Sequence, residues 1–443
     1  MEPIAYTQQL NELLDTVNEM TADSISFWHQ TLAGEVRSSV AKIEQLAVAA
    51  NQASFVQQMA QVFDQQEQAI LETLELPLKA LRELVDSGHL SEPQKARLLI
   101  QLGKTHDLLS QWEQALDQFY RALDYCQDTL PEKAEILKFI GHIKSKQREY
   151  NSAQSQYHAS IEAYSELQNQ REVANIYLCL GFNDFESGRH QSAEENYRNA
   201  QRIANSLEGV ERIIGDVNLT LGILATMRGD FQTALSHYEQ SVQSYESIGD
   251  ERGLSQAYYN MGMLYVDLKE LANAGESYQR SLEYARKSSD LYLIGHIHLS
   301  TTELALQLSD LALAQAACMQ AVKVFGRLGG QTQLSEAYKY AGLIQRRRRA
   351  WDKANRLFQQ SIELAKKFQS SLNEAEARYE YGLMLLDQSD PDQARIQLNV
   401  ALNIFTKLGA QVDVQKTQKA LEQLDESKPE AEERRRFKPI KRS

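Results

Sequence analysis

The sequence is poor in the residues that shape β-rich and disulfide-bonded proteins. Its 443 residues include only 7 prolines, 21 glycines and 3 cysteines. An all-β sandwich or barrel needs a turn signal every few residues, so this composition argues against that class. Cys126, Cys179 and Cys318 are too few and too far apart for a disulfide framework or a zinc knuckle.

Long apolar runs and a surplus of positive charge are also missing. No stretch approaches roughly 18 uninterrupted apolar residues, and no basic segment followed by an apolar core opens the chain, so we expect neither a membrane span nor a signal peptide. With 60 acidic against 47 basic residues the net charge is −13. This balance disfavours nucleic-acid binding by the body of the chain, since that binding is mostly phosphate neutralisation. We expect a cytoplasmic protein.

What the sequence does contain is a repeat. From about residue 95, a Gly is followed 12 residues later by a small residue, and 7 residues after that by another. Eight repeats share this frame at spacings of 38 to 41 residues, with Thr302 in place of the Gly in the sixth. The leading positions are Gly103, Gly141, Gly181, Gly222, Gly262, Thr302, Gly342 and Gly382. A fixed period of this length indicates a solenoid, in which each repeat buries its apolar face against its neighbours.

Each repeat predicts two helices. In the fifth, apolar residues recur at helical spacing from Ala257 to Tyr265, a polar break follows, and a second helical run extends from Ala274 to Ala285. The small residues are expected where the helix axes come closest, and a bulky residue four positions after the first Ala fills the space they leave. Those residues are Phe119, Tyr157, Tyr197, Tyr238, Tyr278, Cys318, Phe358 and Leu398.

This pattern resembles the tetratricopeptide repeat, and the resemblance covers about residues 91–425. The usual period is about 34, whereas this chain runs at 40, which is similar to the kinesin-light-chain-like and Rap-like subclasses. Several repeats close with an apolar residue and a Gly, at Gly249, Gly329 and Gly409, which is a helix C-cap signature. The resemblance implies an all-α, right-handed α-solenoid of about eight helix-turn-helix units, whose first helices line the concave face.

Two segments flank the array. Residues 1–90 have no repeat frame, and we interpret them as an N-terminal helical bundle or cap, with a self-associating coiled coil as the alternative. The stretch around Gly88 and Pro93 superficially imitates a helix-turn-helix, but a simple joint to the first repeat is the favoured interpretation. Residues 426–443 end in a basic run and predict a disordered, solvated tail.

The sequence offers no catalytic constellation. It contains no dinucleotide fingerprint, no phosphate loop, no Gly-x-Ser-x-Gly and no His-Glu-x-x-His. His296 and His298 would point about 200° apart on a helix and make poor joint metal ligands. The cysteines fall in helix-packing positions and are interpreted as structural. We therefore predict a protein without enzymatic activity, cofactor or metal.

The resemblance also predicts where a partner binds, because in such repeats the positions 6 and 3 before the Gly, and 1, 4 and 5 after it, point inward. The predicted partner-binding residues are Lys104, Lys138, His142, Phe182, Phe185, Ile223, Met227, Tyr259, Asn260, Met263, Lys339, Arg346 and Arg347. An apolar floor with basic ends suits an extended or helical segment with hydrophobic anchors and acidic flanks. Plain helix packing is an equal alternative for any single apolar residue.

Two details bear on the binding mode. Arg346 and Arg347 open a run of four arginines, whose planar guanidinium groups suit an acidic or phosphorylated segment, while a solvated turn is the alternative. Asn260 stands two before the Gly, where the 40-residue subclasses often place an Asn that holds a peptide backbone. The other repeats lack it, which weakens the transfer of that mode.

The favoured function is a non-enzymatic scaffold or adaptor that binds a segment of another protein in the concave groove. The alternative is a Rap-like signalling or transcription regulator, with a peptide-sensing array and an effector N-terminal helical domain. No motif in residues 1–90 matches that family residue by residue. We expect no small-molecule substrate, and neither nucleic acid nor membrane as a partner, except for weak attachment through the basic tail, residues 434–442.

Overall fold

The computed structural model describes Val85 and residues 92–108, 111–126 and 130–436. Within these residues every regular element is an α-helix. The chain divides into two compact units, Met1–Asn260 and Met261–Ser443, which we call the N-terminal and C-terminal units. Apart from Val85, the interpretations of residues 1–90 fall outside the described residues.

Seventeen helices follow one another in the described ranges. They are α1 Glu92–Leu108, α2 Trp112–Asp124, α3 Leu130–Lys146, α4 Tyr150–Glu166, α5 Gln170–Glu186, α6 His190–Ala204, α7 Glu211–Met227, α8 Phe231–Ile248, α9 Glu251–Asp267, α10 Leu271–Lys287, α11 Leu291–Gln307, α12 Leu311–Leu328, α13 Gln331–Arg347, α14 Trp351–Lys367, α15 Ser371–Asp387, α16 Pro391–Leu408 and α17 Gln411–Arg436. Odd-numbered helices from α1 to α15 are the first helices of the repeats, and even-numbered helices are the second. The predicted all-α tetratricopeptide fold is confirmed.

The leading Gly of the first helix lies against the bulky side chain of the second. A Cβ added at Gly103 would come within 2.6 Å of the Phe119 ring, and one added at Gly222 would come equally close to Tyr238. Both rings are buried. Atoms that are not bonded cannot approach this closely, so only the hydrogen of Gly leaves room for the ring. The Gly and the ring therefore set the distance between the two helices of a repeat.

A second buried position alternates along the array and was not recognised in the sequence. Seven residues after the first bulky residue, even-numbered repeats carry a buried aromatic residue and odd-numbered repeats a small one. The aromatic residues are Tyr164, Tyr245, Phe325 and Phe405, and the small ones are Cys126, Ala204, Ala285 and Ala365. The Tyr245 ring lies between Gly215 and Gly253, where an added Cβ would approach to 2.6 and 2.5 Å. The array therefore has a two-repeat period in its packing.

Buried serine hydroxyls join the second helix to the first in several repeats. Ser160 Oγ donates to the carbonyl of Ala134 at 2.6 Å, and Ser241 Oγ donates to that of Gly215 at 2.9 Å. These serines are two of the small residues of the repeat frame. A buried hydroxyl needs such a partner, because leaving it unpaired costs free energy.

The turns depend on left-handed backbone. Gly249, Gly329 and Gly409 end α8, α12 and α16 with φ of 67°, 66° and 72°, so the predicted C-caps are confirmed. The turn inside a repeat also has one positive φ, seven residues after the leading position, and Gly occupies it in only two repeats. These residues are Arg148, Gly188, Gly229, Lys269, Ser309, Arg349 and Ser389.

The last helix extends beyond the predicted end of the array. The helix α17 continues to Arg436, inside the segment predicted as a disordered tail from 426. Between Glu426 and Arg436 it contains four Glu and three Arg, which are good helix formers. This segment is therefore helical as far as Arg436.

The sixth repeat provides a test of the contact between Gly and ring. Thr302 replaces the Gly and Cys318 replaces the ring, and both are buried. We expect Thr302→Gly alone to destabilise the protein by about 1–3 kcal/mol through a void and a flexible helix residue. We expect Cys318→Tyr alone to cost about 1–3 kcal/mol through overpacking. The double variant should lose clearly less than the sum, as measured by urea unfolding followed by circular dichroism. Additive losses would contradict this complementarity.

The left-handed turn residues give a second test. Lys269 has a φ of 63°, which costs an ordinary residue about 1–2 kcal/mol relative to Gly. We expect Lys269→Gly to raise the free energy of unfolding by about 1 kcal/mol. The matched control is Gly229→Ala at the equivalent turn, where φ is 76° and destabilisation is expected. If the two changes shift the urea midpoint in the same direction, these turns do not carry the expected backbone strain.

Candidate functional site: a groove lined by first helices

The C-terminal unit contains a groove of about 880 Å³. Its lining comes from α11, α13, α15, α16 and α17. The lining residues are Glu303, Leu306, Gln307, Glu336, Lys339, Tyr340, Leu343, Arg346, Arg347, Glu376, Tyr379, Glu380, Leu383, Asp387, Phe405, Asp413 and Lys416. The lining residues that belong to first helices occupy the repeat positions predicted to point inward, or the position two residues before the leading residue. Successive first helices thus present their side chains to one recess.

Lys339 lies at the centre of a group of carboxylates. It is only 8% exposed, and its Nζ lies 2.5 Å from Glu376 Oε2. Burial by itself would lower the pKa of Lys339, but the carboxylates of Glu376, Glu336 and Glu303 raise it above its ordinary value. The ammonium also lies 4.6 Å from the centre of the Tyr340 ring. Lys339 therefore stays charged inside the groove.

Tyr340 belongs to the same group. Its hydroxyl donates to Glu303 Oε2 at 3.1 Å, which links α13 to α11. Burial, followed by Glu303 and Glu336, raises the pKa of Tyr340 well above its ordinary value. The hydroxyl consequently acts as a neutral donor that orients Glu303.

The first two arginines of the four-arginine run reach in opposite directions. Arg346 Nε lies 2.6 Å from Asp387 Oδ2, and its Nη1 lies 3.1 Å from Glu380 Oε2, both on α15. Arg347 Nη1 donates to the carbonyl of Leu306 on α11 at 2.9 Å. These contacts join three successive first helices, so the run has a structural role that the residue pattern alone did not reveal.

The same arrangement holds in the N-terminal unit. Lys104 Nζ lies 2.6 Å from Glu135 Oε1, and Lys138 Nζ lies 2.8 Å from Glu172 Oε2. Both ammonium groups also lie over the Phe139 ring, at 5.0 and 5.5 Å from its centre. Each cation of one first helix thus meets a carboxylate of the next. His142, also predicted for binding, is exposed.

The predicted apolar residues of the N-terminal unit differ in exposure. The side chains of Phe182 and Met227 are 54% and 56% exposed, so neither is buried in the core. Ile223 and Tyr259 are half-buried. Phe185 is also half-buried, and its ring meets that of His190 edge to face. In the C-terminal unit, Met263 is exposed.

The side-chain amide of Asn260, predicted to hold a peptide backbone, makes one hydrogen bond inside its own helix. Its Nδ2 donates to the carbonyl of Gln256 at 2.8 Å, one turn earlier in α9. The amide nitrogen is therefore used within its own helix, as is common for Asn inside helices.

The carboxylates of the groove are the part of the site that sequence reasoning missed. Glu376, Glu380 and Asp387 follow their cationic partners by 34 to 41 residues, about one repeat. The basic residues counted alone predicted a groove with basic ends. An acid 31 to 41 residues after Lys104, Lys138, Lys339 and Arg346 was the available signal.

The structure offers no alternative site built on metal or thiol chemistry in its described residues. No group of three or more His, Cys, Asp or Glu side chains there could hold a metal ion. The His296 ring packs against Tyr292 and Phe325. Burial raises the pKa of the Cys318 thiol to about 12, so this thiol stays protonated and is a poor nucleophile. Among the described helices, none has the length and apolar character needed to cross a membrane.

Comparison with known proteins agrees with this fold. The family profile described as tetratricopeptide repeat matches residues 172–247, and that described as 26S proteasome subunit RPN7 matches residues 221–377. No curated protein sequence matches the chain.

Solved structures share the fold at low sequence identity. The apo form of the quorum sensor NprR from B. thuringiensis has 15% identity and a TM-score of 0.56, over 81% of this chain and 98% of that one. The apo form of RapI has 14% identity and a TM-score of 0.53, over 62% and 99%. Aspartyl phosphate phosphatase F from Bacillus subtilis has 11% identity and a TM-score of 0.54, over 80% and 95%. Residues 172–247 thus match the tetratricopeptide repeat, and the fold of the chain is similar to that of these solved structures.

His298 provides a test of burial in the C-terminal unit. Burial, with Arg286 adding to the effect, lowers the pKa of His298 from 6.5 to about 4. The unfolded chain takes up this proton near pH 6.5 and the folded chain only near pH 4, so acidification through this window favours unfolding. We expect the free energy of unfolding to fall from pH 6.5 to pH 4, and His298→Gln to reduce that fall. The control is the same substitution at His158, whose side chain is exposed. An unchanged slope for His298→Gln would contradict the assignment.

Proposed function

We propose that this protein is a non-enzymatic adaptor that binds a segment of another protein in the groove of the C-terminal unit. The observation that carries the proposal is the groove itself, a recess of about 880 Å³ lined by side chains from three successive first helices. Concave faces of stacked repeats are binding surfaces of this architecture.

The walls of the groove suit a segment with apolar anchors. Leu343 and Leu383 are half-buried at equivalent positions of successive first helices, and Tyr379 lies on the same helix as Leu383. The charged side chains between them are oriented by ion pairs within the chain, so they lose little side-chain entropy on binding. A groove that combines a few apolar side chains with ordered polar groups fits an extended or helical segment.

The proposal also includes the predicted partner-binding residues that lie outside this groove. Phe182 and Met227 are exposed apolar side chains on the first helices of the third and fourth repeats. They provide a candidate contact surface within the N-terminal unit. The basic residues contribute less to an acidic partner than their number suggests, because the carboxylates described above already neutralise Lys104, Lys138 and Arg346.

A peptide-sensing regulator is the second candidate function. It is favoured by the fold shared with the quorum sensor NprR. Such a regulator would bind the peptide in the same groove and would use residues 1–90 as its effector domain.

Site-specific crosslinking tests the position of the partner. A photoreactive benzoylphenylalanine replaces Gln307, which is exposed and lines the groove, or Gln320, which is exposed on the second helix α12. In an extract of the cells that make the protein, we expect one crosslinked partner at 307 and none at 320. Mass spectrometry of the product should identify one contiguous partner segment.

The control is Gln307→Trp, which should block the groove without disturbing the fold. This variant should lose the same partner in a binding assay, while Gln320→Trp retains it. Crosslinks of equal yield at both positions, or a partner that Gln307→Trp still binds, would move the binding surface elsewhere.

A further inference from the structure

The groove of the C-terminal unit carries more negative than positive side chains. Its carboxylates are those of Glu303, Glu336, Glu376, Glu380, Asp387 and Asp413, and its cations are those of Lys339, Arg346, Arg347 and Lys416. Because the recess is walled by protein, its field is screened less than that of a convex surface. The groove is therefore attractive to positive charge.

Each cation of the groove is already engaged by this chain. Lys339 and Arg346 bind carboxylates of α15, and Arg346 engages two of them. Arg347 donates to a backbone carbonyl of α11, and Lys416 Nζ lies 3.5 Å from Asp413 Oδ1. These contacts leave the surplus of carboxylates without a matching cation.

Glu336 is one of the groove carboxylates that no cation of the described residues engages. It is half-buried on α13 and makes no hydrogen bond or ion pair with the described residues. Burial raises its pKa; nearby Lys339 opposes that shift, and Glu376 and Glu303 add to it. A carboxylate in these surroundings is stabilised in its charged form by one more cation.

We infer that the groove selects a partner segment with a lysine or arginine side chain, which binds against Glu336 and the neighbouring Glu303. This inference rests on the proposed function and specifies the chemistry of the partner. Glu303 is exposed and uses Oε2 to accept from Tyr340, so its other oxygen faces no described donor. Apolar residues beside the basic one would pack on Leu343 and Leu383.

The charges of the groove disfavour an acidic partner. An acidic segment would have to displace carboxylates of α15 from Lys339 and Arg346, and it would meet Glu336 as a like charge. A basic segment needs no ion pair of the chain to break. It adds charge-assisted hydrogen bonds to a carboxylate that has none.

Selection from a random peptide library tests the inference even while the natural partner is unidentified. Phage displaying random dodecapeptides are selected on the immobilised full chain. We expect the enriched peptides to carry Lys or Arg next to apolar residues, and Gln307→Trp to block them. Synthetic copies should bind less tightly as the salt concentration rises.

The variant Glu303→Gln/Glu336→Gln keeps the shape of both side chains and removes their charge. We expect it to bind the enriched peptides at least about tenfold more weakly than the natural protein. The matched control is Glu363→Gln/Glu422→Gln, which removes two exposed carboxylates outside the groove. Circular dichroism confirms that all variants are folded.

Two kinds of failure are distinguishable. Peptides that Gln307→Trp blocks but that lack basic residues, or that bind the Glu303→Gln/Glu336→Gln variant unchanged, would overturn the inference and leave the groove as the binding site. Peptides that Gln307→Trp does not affect, or the absence of any enrichment, would overturn the proposed function as well.

Discussion

The contact between a glycine and a ring is the constraint on which the rest of this structure depends. The leading Gly has no Cβ because the ring of the second helix occupies that space, as Gly222 and Tyr238 show. This contact sets how closely the two helices of a repeat approach. The helix spacing in turn decides which residues of the first helix remain uncovered. The inward-pointing residues of the groove are the residues of the first helices that this packing leaves uncovered.

A second set of contacts runs from repeat to repeat. Cations of one first helix bind carboxylates of the next, from Lys104 with Glu135 to Arg346 with Asp387. Partly buried pairs of this kind cost desolvation energy and contribute modest net stability, but they fix the orientation of long side chains. In this array they neutralise the basic side chains that point inward from the first helices. The charge left over in the groove is then negative rather than positive.

Much of this protein could be predicted from local pattern. The helix pairs, the C-cap glycines and the packing role of the rings follow from spacing and residue size, which act within about 20 residues of chain. The two-repeat alternation of Tyr164, Tyr245, Phe325 and Phe405 was also in the sequence, but a frame built on one repeat does not show it. The helix running to Arg436 was missed because the basic residues suggested solvation rather than helix propensity.

The sequence by itself determined the number of repeats and the pairing of helices within each repeat, because both follow from residue spacing inside one repeat. Only the tertiary structure decided the charge of the site. Lys339 has its carboxylate partner 37 residues away, and the charges that act on Glu336 come from α11, α13 and α15. Electrostatic interaction depends on distance in space and on burial rather than on position in the chain. The character of the groove therefore appears only once the repeats are stacked.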